Sequence, residues 1–186
     1  MEAQTWTLTL LHFSSMSIAL MPATLRDIGF VFSLVQNGAN HGHFDDRIID
    51  DKPAYRAYLE SAITRREDPS GYSTEVFLVV NGAQRVGAAV ITAAVGTPDA
   101  GVEIALIALK REHRGHGFGA VVLERLLNAY WHKGSVYVRC LPASHMLHEM
   151  LLRRGFSVVG ASGAAAILWH PSVNILARET DLSLAG

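Results

Sequence analysis

Three glycines at alternate positions make the segment RGHGFGA, residues 114–120, the strongest sign of chemistry in the sequence. The segment lies between an apolar run, residues 102–109, and a run with helical periodicity, residues 117–132. A glycine-rich turn placed there can bring uncovered backbone N–H groups to a helix N-terminus, where the helix dipole also favours an anion. We therefore expect phosphate binding here, although a glycine-rich turn that binds nothing would have the same sequence pattern.

The spacing of these glycines excludes two common nucleotide-binding loops. A Walker A loop requires Lys and then Ser or Thr after its last glycine, and neither residue follows here. The dinucleotide fingerprint G-x-G-x-x-G also fails, because Gly115, Gly117 and Gly119 are spaced by two. If the segment binds a phosphate, it does so as another class of loop.

Hydrophobic periodicity and turn residues predict the elements that position this segment. A capping box at Thr24 and Asp27 opens the first helix, which Asn37 and Gly38 should end, and Asn81-Gly82 marks a hairpin. The apolar run at 102–109 fits a strand buried on both faces. Strands are predicted at 5–11, 17–21, 75–80, 84–95, 102–109, 135–140, 156–160 and 164–170, and helices at 25–36, 53–66, 117–132 and 144–154. The fold class is therefore α/β, of the α+β type, with one mixed, mostly antiparallel sheet of about seven strands and about four helices.

Composition and charge restrict the class of protein. The 186 residues are 49% hydrophobic and 18% charged, which suits one folded domain over residues 1–186, with 1–16 as an extra strand or extension. A net charge of −1 gives no whole-molecule attraction to nucleic acid or an anionic membrane, and the sequence has no 18-residue apolar run. We expect no signal peptide, because the first twenty residues lack a basic region and are interrupted by polar residues. The single Cys140 argues against disulfides and structural zinc. We expect a cytoplasmic protein without a metal.

The glycine segment also matches the R/Q-x-x-G-x-G/A signature of the GNAT superfamily of N-acetyltransferases, with Arg114, Gly117 and Gly119 at the signature positions. Residues 107–109 resemble the end of the fourth strand of that family, and Arg154-Gly155-Phe156 resembles the end of its fourth helix. The resemblance extends in element order over about residues 17–170 and is sharpest over 102–156.

The resemblance implies acetyl-CoA as co-substrate, lying in a V-shaped gap between the fourth and fifth strands. In the family, main-chain groups of strand four contact the pantetheine arm and the glycine segment holds the pyrophosphate. The cofactor residues implied are Ile107, Ala108, Leu109, Arg114, Gly115, His116, Gly117, Phe118, Gly119 and Ala120.

Acyl transfer to an amine requires a base, because an alkylamine with a pKa near 10.4 is mostly protonated at pH 7. Glu103 is the candidate, since it resembles in position the catalytic glutamate of histone-acetylating family members. Its apolar neighbours predict burial and a raised pKa. The alternative is a strand-edge carboxylate in solvent or in a salt bridge.

The general acid is harder to assign, because Leu151 stands where many family members have Tyr and Ser144 where they often have Asn. Ser144 is kept as a catalytic candidate, with helix N-capping as its alternative. His145 and Cys140 are nearby substitutes, more simply explained as an exposed first-turn residue and a small core residue. No acid is strictly needed, because the departing thiol has a pKa near 8.5.

The loop between the first two helices carries His41, His43, Asp45 and Asp46, which are too scattered for a metal site. We expect His41 and His43 to contact the acceptor. The resulting interpretation is an acetyltransferase that moves acetyl directly from acetyl-CoA to a primary amine on a small molecule or peptide. The alternative is a catalytically weak CoA-binding or assembly module, and a homodimer is left open.

Overall fold

Seven strands form one sheet in the order β1-β2-β3-β4-β5-β7-β6 in the computed structural model, which describes residues 17–64, 74–95, 97 and 101–171. The strands are β1 (Ile18–Pro22), β2 (Thr74–Asn81), β3 (Gln84–Ala93), β4 (Gly101–Leu109), β5 (Ser135–Cys140), β6 (Ser157–Ser162) and β7 (Ala165–His170). The helices are α1 (Ile28–Asn40), α2 (Arg47–Asp50), α3 (Lys52–Thr64), α4 (Phe118–Tyr130) and α5 (His145–Leu152). The predicted fold class is confirmed. The strand predicted at 5–11 lies outside the described residues.

The helices cover the sheet from both faces, so two apolar cores lie on either side of it. Helices α1 to α3 bury Val31, Val35 and Leu59 on one face, and α4 and α5 bury Leu123 and Leu151 on the other. Each of these side chains is fully buried, and burying one typically stabilises the fold by about 1.5–3 kcal/mol. The sheet is therefore held rigidly between two layers, which fixes the positions of the strand ends.

Strands β4 and β5 are parallel and pair at three positions only, Gly101↔Ser135, Val102↔Val136 and Glu103↔Tyr137. Beyond the last pair, β4 continues beside β3 to Leu109 while β5 continues beside β7 to Cys140. We call the point after the Glu103↔Tyr137 pair the fork. Past the fork, the side of β4 that faces β5 has no strand partner, and a gap opens within the sheet.

A β-bulge lies just past the fork. The β3–β4 register passes from Val90↔Leu106 to Ile91↔Ile104, so Ala105 has no partner residue. Ala105 is exposed while Ile104 and Leu106 are buried, and the prediction of a strand buried on both faces is therefore wrong at this position. Bulges bend a strand and redirect its side chains, as is common beside functional sites.

Three local features near the N-terminal half differ from, or refine, the predictions. The capping box is confirmed, because the Asp27 carboxylate accepts hydrogen bonds from the Thr24 amide and hydroxyl at 2.9 and 2.7 Å. Helix α1 continues through Gly38 to Asn40, where a Cβ at Gly38 would overlap the ring of Phe44. The extra helix α2 forms within the segment predicted as a loop.

Helix α5 is also shorter than the helix predicted at 144–154. It begins at His145, after a 3₁₀ turn over Pro142–Ser144, and ends at Leu152. Leu151 is fully buried, whereas Met146 is 71% exposed. Because the helix has eight residues, it presents only a narrow apolar face to the sheet.

Candidate active site

The glycine segment forms a turn in which two of its three glycines have backbone conformations that favour glycine. Gly115 has φ of +76° and Gly117 has φ of +80°, and a Cβ at either would meet open space. A side chain there would cost strain rather than cause a clash. A Cβ at Gly119 would lie 3.9 Å from the Leu109 side chain, an ordinary contact. Glycine is therefore required locally at 115 and 117, and alanine fits at 119.

The amides of this turn form a row of free donors at the start of α4. The amides of Ala120 and Val121 donate to the Gly117 carbonyl at 3.0 and 3.2 Å. In the described part of the chain, no acceptor faces the amides at positions 115–119. Together with the N-terminal dipole of a 13-residue helix, these amides suit an anionic oxygen group. Ala120 was among the residues predicted to bind the cofactor, but its amide already has an acceptor. We call the five free amides at 115–119 the amide cradle.

Two side chains of this turn, those of Phe118 and Arg114, have different surroundings. Phe118 is buried and its ring lies beside the rings of His113 and His116, at centroid distances of 5.8 and 6.3 Å. Arg114 reaches back, and its Nε donates to the Leu109 carbonyl at 2.9 Å. The end of β4 and the glycine turn are thus tied directly to each other.

The main-chain direction along β4 decides which predicted pantetheine contacts are open. The Lys110 amide donates to the Val86 carbonyl at 2.9 Å, so Leu109 and Gly87 form a non-hydrogen-bonded pair of the antiparallel ladder. The main-chain groups of Leu109 and Ile107 therefore face the gap, while those of Ala108 face β3. Ala108 consequently does not fit its predicted main-chain contact with the cofactor, and the Leu109 carbonyl is shared with Arg114.

A cleft of about 970 Å³ lies where the fork meets the face covered by α1 to α3. Its walls come from β4, β5, the β6–β7 turn, α2, α3 and the loop after α1. The residues that line it include His43, Phe44, Asp45, Asp46, Arg47, Asp51, Tyr55, Tyr58, Glu103, Ala105, Arg139, Leu141 and Gly163. The cleft therefore opens beside the first unpaired residues of β4, on the side opposite α4 and α5.

Glu103 lies at the fork and faces this cleft. Its side chain is 10% exposed, and its Oε2 lies 3.4 Å from Nη2 of Arg139. Burial raises the pKa of the Glu103 carboxyl, and the Arg139 charge partly opposes that effect. The predicted burial is confirmed, and the salt-bridge alternative is also realised. Sequence reasoning missed Arg139, which lies in β5 two residues past the last β4–β5 pair, because the sequence does not show where the two strands separate.

His43 and Ser144, 101 residues apart in sequence, meet at the edge of the cleft with Nδ1 and Oγ 3.2 Å apart. Ser144 precedes α5 but makes no side-chain cap bond, so its hydroxyl serves this contact instead of capping. Burial lowers the pKa of His43, and the nearby charges of Arg114, His41 and His145 act in the same direction. The loop after α1 is thereby joined to the α5 side of the gap.

His41 does not share the surroundings of His43. Its Nδ1 donates to the Asn37 carbonyl at 2.7 Å, at the C-terminal end of α1, and the side chain is exposed. It is outside the set of residues that line the cleft. Of the two histidines predicted to contact the acceptor, His43 lines the cleft and His41 does not.

The remaining predicted alternatives for proton transfer are poorly placed. Cys140 is buried, which raises the pKa of its thiol to about 11. Leu151 is fully buried and has no hydroxyl to offer, and His145 is exposed at the start of α5. Within the described residues, no group of three His, Cys, Asp or Glu side chains is arranged to hold a metal ion.

Comparison with known proteins places this geometry in a family. The family model described as acetyltransferase (GNAT) family matches residues 40–156, more than half of the 186-residue chain. No curated protein matches the sequence significantly. No helix within the described ranges is long and apolar enough to cross a membrane.

Solved structures show the same fold at low sequence identity. An acetyltransferase from Thermus thermophilus is similar over 83% of this chain and 96% of its own, with 20% identity and a TM-score of 0.61. The PaiA N-acetyltransferase from Thermoplasma acidophilum, in complex with coenzyme A, is similar over 84% and 99%, with 14% identity and a TM-score of 0.63. A mutant of the toxin AtaT, bound to the C-terminus of the antitoxin AtaR, covers 85% and 95%, with 14% identity and a TM-score of 0.52. Because the family model covers more than half of the chain and these structures share its fold, this chain belongs to the GNAT acetyltransferase family.

Proposed function

We propose that the protein binds acetyl-CoA in the gap between β4 and β5 and transfers the acetyl group directly to a primary amine held in the cleft. The observation that carries this proposal is that β4 borders both sites. Its end leads into the free amides at 115–119, and its start places Glu103 at the fork. A ligand lying along β4 would therefore reach from the amide cradle to the cleft.

Coenzyme A fits the groups that this side of the molecule offers. The five amides at 115–119 have no acceptor of their own in the described structure and suit the diphosphate oxygens. The main-chain groups of Ile107 and Leu109 that face the gap can hydrogen-bond to the amide groups of the pantetheine arm. The arm would take the place of the neighbouring strand that β4 lacks there. The thioester supplies an activated acyl group at the end of that arm.

Glu103 is proposed as the base. It removes a proton from the ammonium form of the acceptor, the nitrogen attacks the thioester carbonyl carbon, and the C–S bond breaks to release the thiolate of coenzyme A. A positioned base contributes about 10²- to 10⁴-fold to such a reaction. The thiolate takes up a proton at a thiol pKa near 8.5, so a dedicated acid is dispensable, which suits the absence of a hydroxyl at Leu151.

The walls of the cleft favour a positively charged acceptor. Asp45 is paired with Arg47 at 2.8 Å, which leaves Asp46 and Asp51 as acidic groups at the rim. The rings of Tyr55 and Tyr58 lie 5.6 Å apart on α3 and add aromatic surface. An alkylammonium group on a small molecule or a peptide would meet both. A free buried Cys140 is consistent with the cytoplasm as the compartment.

Two measurements, made one after the other, test the proposal. Acetyl-CoA at 100 times its Kd should stabilise the fold by about 2.7 kcal/mol in a thermal shift experiment, and pantetheine, which lacks the diphosphate, should act far more weakly. Release of the CoA thiol is then measured across a panel of amines and anionic or neutral controls. Stabilisation with transfer to amines supports the enzyme. Stabilisation without transfer supports the CoA-binding module. The absence of both stabilisation and transfer would reject both hypotheses.

A further inference from the structure

The ion pair between Glu103 and Arg139 spans the fork. Glu103 is the last residue of β4 that pairs with β5, and Arg139 lies two residues beyond its partner Tyr137 on β5. The two side chains therefore cross from one arm of the gap to the other at its narrow end. The Arg139 Nη2 also donates to the Val95 carbonyl at 3.3 Å, just after β3. The Arg139 side chain is thus held in place by its own strand β5, by Glu103 on β4 and by Val95 just after β3.

The contact between the two side chains is made at Oε2 of the carboxylate. Arg139 Nη2 lies 3.4 Å from Oε2 of Glu103, and both residues line the cleft. The carboxylate is therefore held by Arg139 in the wall of the cleft where the acceptor is proposed to bind. A guanidinium suits this task because it is planar and remains charged at any physiological pH.

Burial opposes the charged form of this carboxyl. Glu103 is buried, and burial raises its pKa, which favours the neutral acid. A neutral acid cannot accept the proton of an ammonium group. A base at this position therefore benefits from a neighbouring cation, which favours the ionised carboxylate.

Arg139 is the cation placed to do so. Among the described residues, its charge is the one that opposes the effect of burial on the pKa of Glu103. Arg47 is 88% exposed and paired with Asp45, so its charge is largely screened by solvent. The other titratable or charged groups around the cleft are His43 and Asp45 on the loop after α1, Asp46 and Asp51 flanking α2, Tyr55 and Tyr58 on α3, and Tyr137 on β5.

We propose that Arg139 is a positioning residue, which holds the Glu103 carboxylate across the fork in its ionised form at the wall of the cleft. The inference rests on the proposed role of Glu103 as base. Arg139 itself exchanges no proton and forms no bond to either substrate.

Direct titration of Glu103 tests the pairing without reference to activity. The carboxyl carbons of glutamate are labelled with ¹³C, the Glu103 signal is assigned by its loss in Glu103→Gln, and its titration is followed by NMR. Arg139→Gln should raise the midpoint by about one pH unit, because a cation within 4–6 Å typically lowers a carboxyl pKa by 1–3 units. Arg139→Lys should titrate closer to the unmodified protein, and Arg47→Gln, which removes the other arginine of the cleft, should leave the midpoint in place.

The pH profile of kcat/KM with the best amine of the panel provides the second measurement. The acid limb should move to higher pH in Arg139→Gln by the same amount as the NMR midpoint, while the Kd of CoA changes less than about twofold. An unmoved Glu103 titration in an active protein would overturn this inference alone. Absence of transfer by the unmodified protein would overturn the proposed function and this inference with it, so the two failures are distinguishable.

Discussion

The amide cradle at 115–119 and the cleft at the fork lie along the same strand but are built from different kinds of groups. The cradle offers main-chain N–H groups from one continuous turn, set by two glycines with positive φ. The cleft offers side chains from β4, β5, α2, α3 and the loop after α1. The cradle thus depends on local conformation, whereas the cleft depends on how distant segments meet.

This difference predicts different responses to mutation. Changing a side chain in the cradle leaves its donors in place, provided that the backbone conformation is allowed. Changing a side chain in the cleft removes the chemical group itself.

The largest effect is expected from Glu103→Gln, which removes the proposed base but retains the shape of the side chain. The turnover should fall by about 10²- to 10⁴-fold, because general base catalysis is lost, while the Kd of CoA stays within about twofold. Initial rates of thiol release and a CoA titration measure the two quantities. Glu149→Gln on α5, whose side chain is 64% exposed, is the matched control and should change neither. Full activity of Glu103→Gln at every pH would remove Glu103 from the mechanism.

The second effect concerns the cradle alone. Gly117→Ala should weaken CoA binding about tenfold, because a left-handed conformation costs an alanine roughly 1–2 kcal/mol and the turn would leave the geometry that presents its amides. Gly119→Ala is the control, since its Cβ would make only an ordinary contact with Leu109. Calorimetric titration with CoA compares the two variants. Equal Kd values would mean that the amides of this turn do not hold the diphosphate.

The smallest effect concerns the contact that joins the cleft to the α5 side. His43→Ala and Ser144→Ala should show a coupling of about 0.5–1.5 kcal/mol in a double-mutant cycle for urea unfolding, the usual net contribution of one hydrogen bond. The KM for the acceptor should rise in His43→Ala, since His43 lines the cleft.

His41→Ala provides the control for this cycle. Its ring bonds to the Asn37 carbonyl and does not reach Ser144, so the pair His41 and Ser144 should show no coupling. Coupling of His41 as strong as that of His43 would mean that the effect comes from the whole loop rather than from the contact.

The elements and the cradle follow from local sequence signals, which explains why both could be predicted. Strand β4 is one bounded apolar run, the capping box at Thr24 acts over three residues, and the glycine spacing itself fixes the turn. Glu103 could be proposed as the base because its position in this strand resembles that of the catalytic glutamate in family members. Its partner Arg139 could not be predicted, because that contact depends on how β4 and β5 separate.

Other features of the cleft were likewise inaccessible to sequence reasoning. The bulge at Ala105 depends on the register with β3, and the contact between His43 and Ser144 joins segments 101 residues apart. His41 and His43 have the same side chain two residues apart, and only the end of α1 decides which of them enters the cleft. Side-chain identity predicts the chemistry available, and tertiary packing selects which of it is used.

Because β4 separates early from β5, its second half pairs with β3 on one side only, as an edge strand does, although β4 lies in the middle of the sheet. The amides of Ile107 and Leu109 have a strand on only one side of β4, so their hydrogens are open to exchange with water, while that of Ala108 is protected by β3. Protection along this strand therefore alternates residue by residue, at a depth where a continuous sheet would protect all three. The two arms of the sheet are joined by three residue pairs, and a ligand lying in the gap would make them one cooperative unit.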